Sequence, residues 1–405
     1  MEGRASTGMA LTMFDDPRIL ERQLGLIPGD LAQWRALEDR LERFCAELRA
    51  APVDERDDLA ATRTYVERLA AAGLLREVVP AAWGGSSPQL RTLALCIVRQ
   101  WLARESGALD NAFVMQGLGS HAIAKGGSDA LREQVLPGVV AGQRICAFAL
   151  TEPEAGSDVA SMRTLAVPDA DGGVRLRGEK CFISNAPCAD SYVVFAREGG
   201  DDPAAKPRFG AFWLPGDSPG LAVTPIQVIA PHPIGTVHLD DVRVPAAHRL
   251  GAAGDGLALA FGTLDVFRIS VGAAALGLAD RALAEAVAHL QRRVQFGKPL
   301  ATQQGLRFAI AEVATDHVAA QMLVYRAAVL RDDGRAGPQD SALAKLHATE
   351  SAQRVIDRAV QCLGGLGVTV GHVTERLYRE IRALRIYEGT SEIQKLVIAR
   401  ALFRS

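Results

Sequence analysis

Five short segments carry side chains that could do chemistry together. The last, Ile386-Tyr387-Glu388-Gly389-Thr390-Ser391-Glu392-Ile393-Gln394, puts one carboxylate in a linker just ahead of a helix. In an apolar loop beside glycine the charged form of such a group is penalised. Its pKa then rises and it can act as a base. Taken alone, Glu388 reads equally as a solvated loop glutamate. Ser391 and Gln394 stand at capping-box spacing, which would start the final helix at 391 or 392. The segment Thr151-Glu152-Pro153-Glu154-Ala155-Gly156-Ser157-Asp158 sets two hydroxyls either side of a proline turn. It can offer O–H and N–H donors to a polar ring, or it is simply a capped surface turn. In Lys180-Cys181-Phe182-Ile183-Ser184-Asn185, Phe182 and Ser184 share a strand face, so an aromatic plane and a hydroxyl could meet one flat ligand. A core Phe beside a surface Ser would look the same.

The other two segments are basic and glycine-rich. Arg293-Val294-Gln295-Phe296-Gly297-Lys298, followed by Gln303-Gln304, places an arginine at a glycine-broken helix end. Such an arginine can pair with a phosphate or merely offset the helix dipole. Gln361-Cys362-Leu363-Gly364-Gly365-Leu366-Gly367 lets backbone approach a ligand or a neighbouring helix, or only turns the chain. It is not a dinucleotide fingerprint. The spacing of Gly365, Gly367 and Gly371 is wrong by one, and helix precedes it where a strand is required.

The elements that must position these segments follow from periodicity. From Leu31 the apolar set Leu31, Trp34, Leu37, Leu41, Phe44, Cys45, Leu48 runs in steps of three and four, leaving Arg35, Glu38, Asp39, Glu42 and Arg43 for water. Similar patterns cover 63–74, 89–104, 108–123 and 128–139. After Gly142 the texture changes. Val174 to Arg177 alternates after a turn-rich Asp169 to Gly173, and 192–195, 209–214, 237–239 and 242–244 read as strands. Helix returns at Gly256 over 257–294, 303–333 and 338–366. The expected fold is mainly α with an inserted β domain. It comprises an N-terminal helical domain (1–142), a middle β-barrel or sandwich (143–247) and a C-terminal helical bundle of four-helix type (248–405).

Composition narrows the class. The 405 residues suggest two or three domains. Lys plus Arg number 45 against 47 for Asp plus Glu, giving a formal charge of −2. That balance offers no footprint for nucleic acid. No uncharged apolar run reaches 18 residues, so no membrane partner is expected, and Met1 to Pro17 lacks the core of a signal peptide. Cys45, Cys96, Cys146, Cys181, Cys188 and Cys362 form no CxxC pair and no zinc spacing with histidine. They read as inert thiols of a reducing, cytoplasmic compartment, with no metal site.

In order and spacing the five segments together resemble the acyl-CoA dehydrogenase family of flavoproteins, over roughly residues 30–404. Asp240-Asp241-Val242-Arg243-Val244-Pro245 and Leu264-Asp265-Val266-Phe267-Arg268 add to the likeness. The resemblance implies FAD, held non-covalently between the β domain and the C-terminal bundle. Thr151, Ser157, Phe182 and Ser184 match positions that contact the isoalloxazine ring. Arg293, Phe296, Gln304, Gln361 and Gly365 match positions that reach a neighbouring subunit's FAD, and Thr390 and Glu392 match the loop near the adenosine half of FAD. Phe182 is a departure, since many members carry Trp there. Glu388 matches the catalytic base of an α,β-dehydrogenation of an acyl-CoA thioester to the trans-2-enoyl product. Relatives that place the base elsewhere do so at the position of Phe267, which cannot serve. Asp265 and Arg268, with Ser157, match substrate-lining residues, and Arg268 also orients the catalytic loop.

The likeness further implies a homo-oligomer, dimer or tetramer, and an electron-transfer flavoprotein as electron acceptor. An acyl-CoA or acyl-carrier-protein oxidase keeps the same base, although oxidase chains are typically much longer. Flavin monooxygenases of the fold generally lack the glutamate, and a colourless scaffold protein is the reading from another class. Asn111 to Ala122, with Gln116 where many relatives have His, is expected at the pocket. The atypical stretch Ala230 to Thr236 points to a specialised acyl group, branched, cyclic or aryl-substituted.

Overall fold

A computed structural model describes residues 31–199 and 207–403. The reading of Met1 to Pro17 falls outside these residues, as does most of the polar loop between Glu198 and Pro207. The first block is helical: α1 (Ala32–Ala50), α2 (Asp58–Ala71), α3 (Thr92–Glu105), α4 (Gly107–Gly126) and α5 (Asp129–Val140). The stripe from Trp34 to Leu48 is buried as its spacing predicts, but Glu38 is buried with it at 4% exposure. It lies beside Leu37 at the edge of a stripe wide enough to cover both, where spacing alone had assigned it to water.

Among the described residues eight strands follow: β1 (Cys146–Ala149), β2 (Leu165–Pro168), β3 (Val174–Ser184), β4 (Ser191–Glu198), β5 (Arg208–Pro215), β6 (Leu221–Pro225), β7 (Ile234–Val244) and β8 (Arg249–Leu250). They make one sheet in the order β6-β7-β3-β2-β4-β5-β8, with β1 beside β4. β1 and β2 share one edge of β4 and pair with it in parallel, at Ser191 to Val194 and Arg197 to Glu198 respectively. The sheet has two apolar faces. Tyr192, Val194, Phe212 and Leu214 fill its own core, while Val193, Phe195, Phe209 and Trp213 join the core of the helices. This explains why β4 and β5 read as unbroken apolar runs and β7 as an alternating strand.

The third block holds α6 (Gly256–Arg292), a hairpin of β9 (Val294–Gln295) and β10 (Lys298–Pro299), α7 (Gln304–Asp332), α8 (Pro338–Leu363), α9 (Val373–Leu384) and α10 (Ser391–Phe403). Helix α6 ends two residues earlier than its periodicity suggests. Phe296 and Gly297 take φ of +51° and +76°, and a two-residue turn closes the hairpin instead. α6 packs along α8 and α7 on one side and along α3 on the other, so the first and third blocks share a core. Among the described residues it is the one helix long and apolar enough to cross a membrane. Most of its apolar residues, including Ile269, Val271, Leu276 and Leu278, are buried inside the protein, although Phe261 is exposed. α4 fits between α6 and β1 because two of its residues lack side chains. A Cβ on Gly117 would lie 2.5 Å from the Phe267 ring, and one on Gly119 2.5 Å from Cys146 Cβ.

Candidate active site

Between α9 and α10 the chain makes a tight loop in which Glu388 has φ +53° and Gly389 φ +93°. The left-handed region costs a non-glycine residue on the order of 1–3 kcal/mol, so the surrounding structure must hold it there. Three side chains do so. Arg268 Nε donates to the Glu388 carbonyl (3.1 Å), and its guanidinium is fixed by Asp265 (2.9 Å). Lys345 Nζ donates to the Gly389 carbonyl at 2.7 Å. Gln394 Nε2 donates to the carbonyls of Gly389 (2.8 Å) and Glu388 (3.3 Å).

Helix α10 starts at Ser391, as expected, but the proposed capping box does not form. Thr390 is the cap, its hydroxyl accepting from the Ile393 N–H at 3.3 Å. Ser391 sits already in the first turn and donates to Glu350 on α8 at 2.5 Å. The Gln394 side chain is engaged by the loop carbonyls.

The Glu388 side chain turns inward. Its Oε2 is buried and has no hydrogen-bond partner among the described residues. Burial raises its pKa; Arg99, Arg268 and Lys345 pull it back, and Asp110 pushes it up again. Arg99 and Asp110 form a buried two-point pair (2.8 and 2.7 Å), and a third guanidinium nitrogen donates to Ser270 at 2.9 Å. Lys345 is fully buried, and burial pushes its pKa down to about 8 against the opposing pull of Glu388. Among the described residues the backbone N–H of Glu388 has no acceptor, so it is free to donate to a ligand. Phe267 is fully buried with its ring edge-on to His121.

The sheet supplies a second group. The loop of Thr151 and Ser157 hangs on β3. The Cys181 N–H donates to the Thr151 carbonyl (2.9 Å), and Lys180 Nζ to Leu150 O (3.0 Å) and Glu152 Oε1 (2.8 Å). A bulge between Lys180 and Ile183 puts Phe182 at φ +55°. Phe182 is thereby 62% exposed and Ser184 half-buried, while Ile183 stays in the sheet core. Ser157 is exposed. The two groups are linked through neighbours, since Asn111, next to Asp110, donates to Asn185, next to Ser184, at 3.4 Å.

A third group stands apart on the surface. Arg293, Phe296 (93% exposed) and Gln304 flank the β9–β10 hairpin, and Gln361 and Gly365 lie at the exposed end of α8. Among the described residues no hydrogen bond or ion pair joins them to Glu388 or to Phe182. Glu392 is exposed, and its carboxylate is held below its ordinary pKa by its own backbone N–H in the first turn of α10 and by Thr390.

Gln116 has both ends of its amide engaged by the backbone. It is buried, with Nε2 on Arg144 O (2.5 Å) and Oε1 on the Cys146 N–H (2.9 Å), so it ties α4 to the start of the sheet. The motif reading missed Arg99, Asp110 and Lys345, and gave Gln394 a capping role where its side chain pins the loop carbonyls. A signal existed for one of them: Arg99 interrupts Leu93-Ala94-Leu95-Cys96-Ile97-Val98, and a charge inside such a run must find a buried partner.

A helix–sheet–helix chain with one inward-facing, unpartnered carboxylate on a pinned loop has the form of a flavoprotein oxidoreductase of the fold anticipated above. Comparison with known proteins bears this out along the chain. The acyl-CoA dehydrogenase N-terminal, middle and C-terminal domains match residues 32–143, 147–242 and 254–403. Cyclohexane-1-carbonyl-CoA dehydrogenase of Geobacter metallireducens is 36% identical over 335 residues, covering 82% of this chain and 87% of that protein. Butyryl-CoA dehydrogenase of Megasphaera elsdenii superposes with a TM-score of 0.83 at 33% identity, over 91% of this chain and 98% of that one. An acyl-CoA dehydrogenase of Bacillus anthracis complexed with FAD superposes at 0.85 with 26% identity, over 94% and 70%. The chain belongs to the acyl-CoA dehydrogenase family and is an oxidoreductase of that family.

Proposed function

We propose that this protein catalyses FAD-dependent α,β-dehydrogenation of an acyl-CoA thioester, with Glu388 as the base. The observation that carries the reading is the buried, unpartnered Oε2 of Glu388 on a loop pinned by Arg268, Lys345 and Gln394. A carboxylate so placed accepts the substrate α-proton without first breaking a hydrogen bond. The free Glu388 N–H is available to the thioester carbonyl, where negative charge develops as that proton leaves. Arg268 and Asp265 keep the loop and the substrate entry in register.

The residues fit FAD. Phe182 and Phe296 are exposed aromatic faces, and a Cβ at Gly156 or Gly365 would meet nothing within 4 Å, so backbone there is open to a ligand. Thr151, Ser157, Phe182 and Ser184 would hold the ring. Arg293, Phe296, Gln304, Gln361 and Gly365 would serve the cofactor of a second copy in a homodimer or tetramer, with Thr390 and Glu392 toward its adenosine half. Bound FAD would supply the hydride acceptor for the substrate β-carbon. Electron-transfer flavoprotein is the proposed oxidant, the cytoplasm the proposed compartment, and 1–142, 143–247 and 248–405 the three domains.

The test is anaerobic bleaching of the yellow protein by a panel beginning with butyryl-CoA and cyclohexane-1-carbonyl-CoA. Glu388→Gln should keep its FAD and lose bleaching by about 10³-fold, within the usual range for a general base. Near-wild-type bleaching of that variant would remove Glu388 from the role. An oxidase in place of a dehydrogenase would show as rapid reoxidation by oxygen during turnover.

A further inference from the structure

The atypical stretch ahead of β7 carries His232, which packs against the end of β3. Its ring makes two hydrogen bonds, Nδ1 to the Ala230 carbonyl at 3.0 Å and Nε2 to Ser184 Oγ at 3.1 Å. A carbonyl oxygen only accepts, so Nδ1 carries the hydrogen. Burial pushes the imidazole below its ordinary pKa and keeps it neutral. The Ala230 carbonyl and Asp58 at the start of α2, among the described residues the one charged side chain acting on the ring, pull the other way with smaller effect. A neutral ring with its hydrogen on Nδ1 has a bare Nε2, which can only accept. The Ser184 hydroxyl hydrogen is therefore committed to His232, and toward the remaining space Ser184 presents lone pairs alone. The segment is fixed in place by the Asn185 N–H on Pro233 O (2.7 Å) and by Arg379 on Ile229 O (2.7 Å).

We propose that His232 is a positioning residue that makes Ser184 a hydrogen-bond acceptor toward the flavin ring and so favours the reduced cofactor. The inference rests on the reading above that Ser184 faces the ring. At N5 the oxidised ring offers only a lone pair and reduction adds an N–H, while the N3–H donor between the two carbonyls is present in both states. A hydroxyl restricted to accepting, set against N5 as this proposal has it, gains a partner on reduction that the oxidised N5 lacks. Releasing its hydrogen lets it donate to the oxidised ring instead.

The experiment is an equilibrium reduction of the FAD-loaded protein against a reference dye of known potential. His232→Leu should lower the equilibrium constant for reduction by about tenfold, which is about 30 mV for a two-electron couple. In a Ser184→Ala background the same substitution should shift nothing, because the effect passes through the hydroxyl. An equal shift in both backgrounds, or none in either, overturns the proposal. A histidine ¹⁵N spectrum of the cofactor-free protein should show His232 neutral with its hydrogen on Nδ1, and the opposite tautomer would also overturn it. A protein that takes up no FAD sinks the functional reading and this inference with it. Bound FAD without coupling between the two residues sinks only the inference.

Discussion

Replacing Lys345 by Met separates what holds the active-site loop from what holds the fold. Lys345 is fully buried in α8, and its amine reaches the Gly389 carbonyl at 2.7 Å. A hydrogen bond from a charged donor contributes about 1.5–3 kcal/mol. Against this stands the pKa of about 8 in place of 10.5. That depression means the folded chain disfavours the ammonium by roughly 3 kcal/mol, an order-of-magnitude figure. The sign follows from proton counting. The unfolded chain holds the proton more tightly, so the deficit is complete below about pH 8 and fades as pH rises toward 10.5. The two terms nearly cancel, Met matches the lost volume, and Gly389 O keeps its bond from Gln394 at 2.8 Å. Lys345→Met should therefore melt within a few degrees of wild type at pH 7, or above it. Catalysis should still fall, because the base is released from one of its three restraints. A displacement of about an ångström can cost on the order of 10²-fold. The lost cation also favoured the carboxylate, so the rising limb of the pH–rate profile should move to higher pH. The assays are thermal melting of the loaded protein and stopped-flow anaerobic bleaching across pH. A variant that melts far below wild type yet bleaches at the normal rate would show Lys345 to be a fold support and refute the reasoning.

Arg293→Ala removes an exposed guanidinium proposed to meet the cofactor's phosphates, so FAD content after prolonged dialysis should fall; full retention would remove Arg293 from the cofactor site. Gly117→Ala places a methyl 2.5 Å from the Phe267 ring and should lower stability by about 1–3 kcal/mol in thermal melts, with the flavin spectrum of the folded fraction unchanged. Asp110→Asn leaves Arg99 as a buried charge without its counter-charge and should destabilise by about 3–5 kcal/mol. It should also shift the bleaching profile to lower pH, since Asp110 pushes the Glu388 pKa up; a shift to higher pH would contradict the electrostatic assignment.

Motifs and periodicity made most of the frame legible. The steps of three and four in α1, the alternation in β3 and the glycine–proline break before α8 each survive as elements. Glu388 was legible because a glutamate before glycine and a helix start is a local pattern. Two of the three side chains that fix it are not local, while the third, Gln394, lies six residues on in the same segment. Arg268, Lys345 and Gln394 come from α6, α8 and α10, and only the fold brings them to one pair of carbonyls. The hairpin at 294–299 was hidden for another reason. Phe296 occupies a left-handed position usually filled by glycine or asparagine, so residue type misled where φ decides. Glu38 shows the converse limit, since periodicity places a residue by angle and cannot tell how wide the buried stripe is.

A buried base faces two opposed demands. Burial raises its pKa and makes it a stronger acceptor, yet it must lose its own proton before it can accept another. Three cations act on Glu388, but they are not equivalent. Arg99 is held at two points by Asp110, whose carboxylate opposes its effect on the base, so this pair changes the field at Glu388 less than a lone arginine would. Arg268 and Lys345 have their hydrogen bonds on the loop carbonyls, and their charges act on the base without a carboxylate clamp of that kind on Lys345. Arg268 and Lys345, which help fix the position of Glu388, therefore also set its protonation, so neither can be replaced without changing both. Lys345 adds a dependence on pH. Its own pKa lies near 8, so loss of its proton above that value removes a cation that favours the carboxylate. The base that remains is then the stronger acceptor, on a loop whose hydrogen bond from Lys345 has become one from a neutral amine.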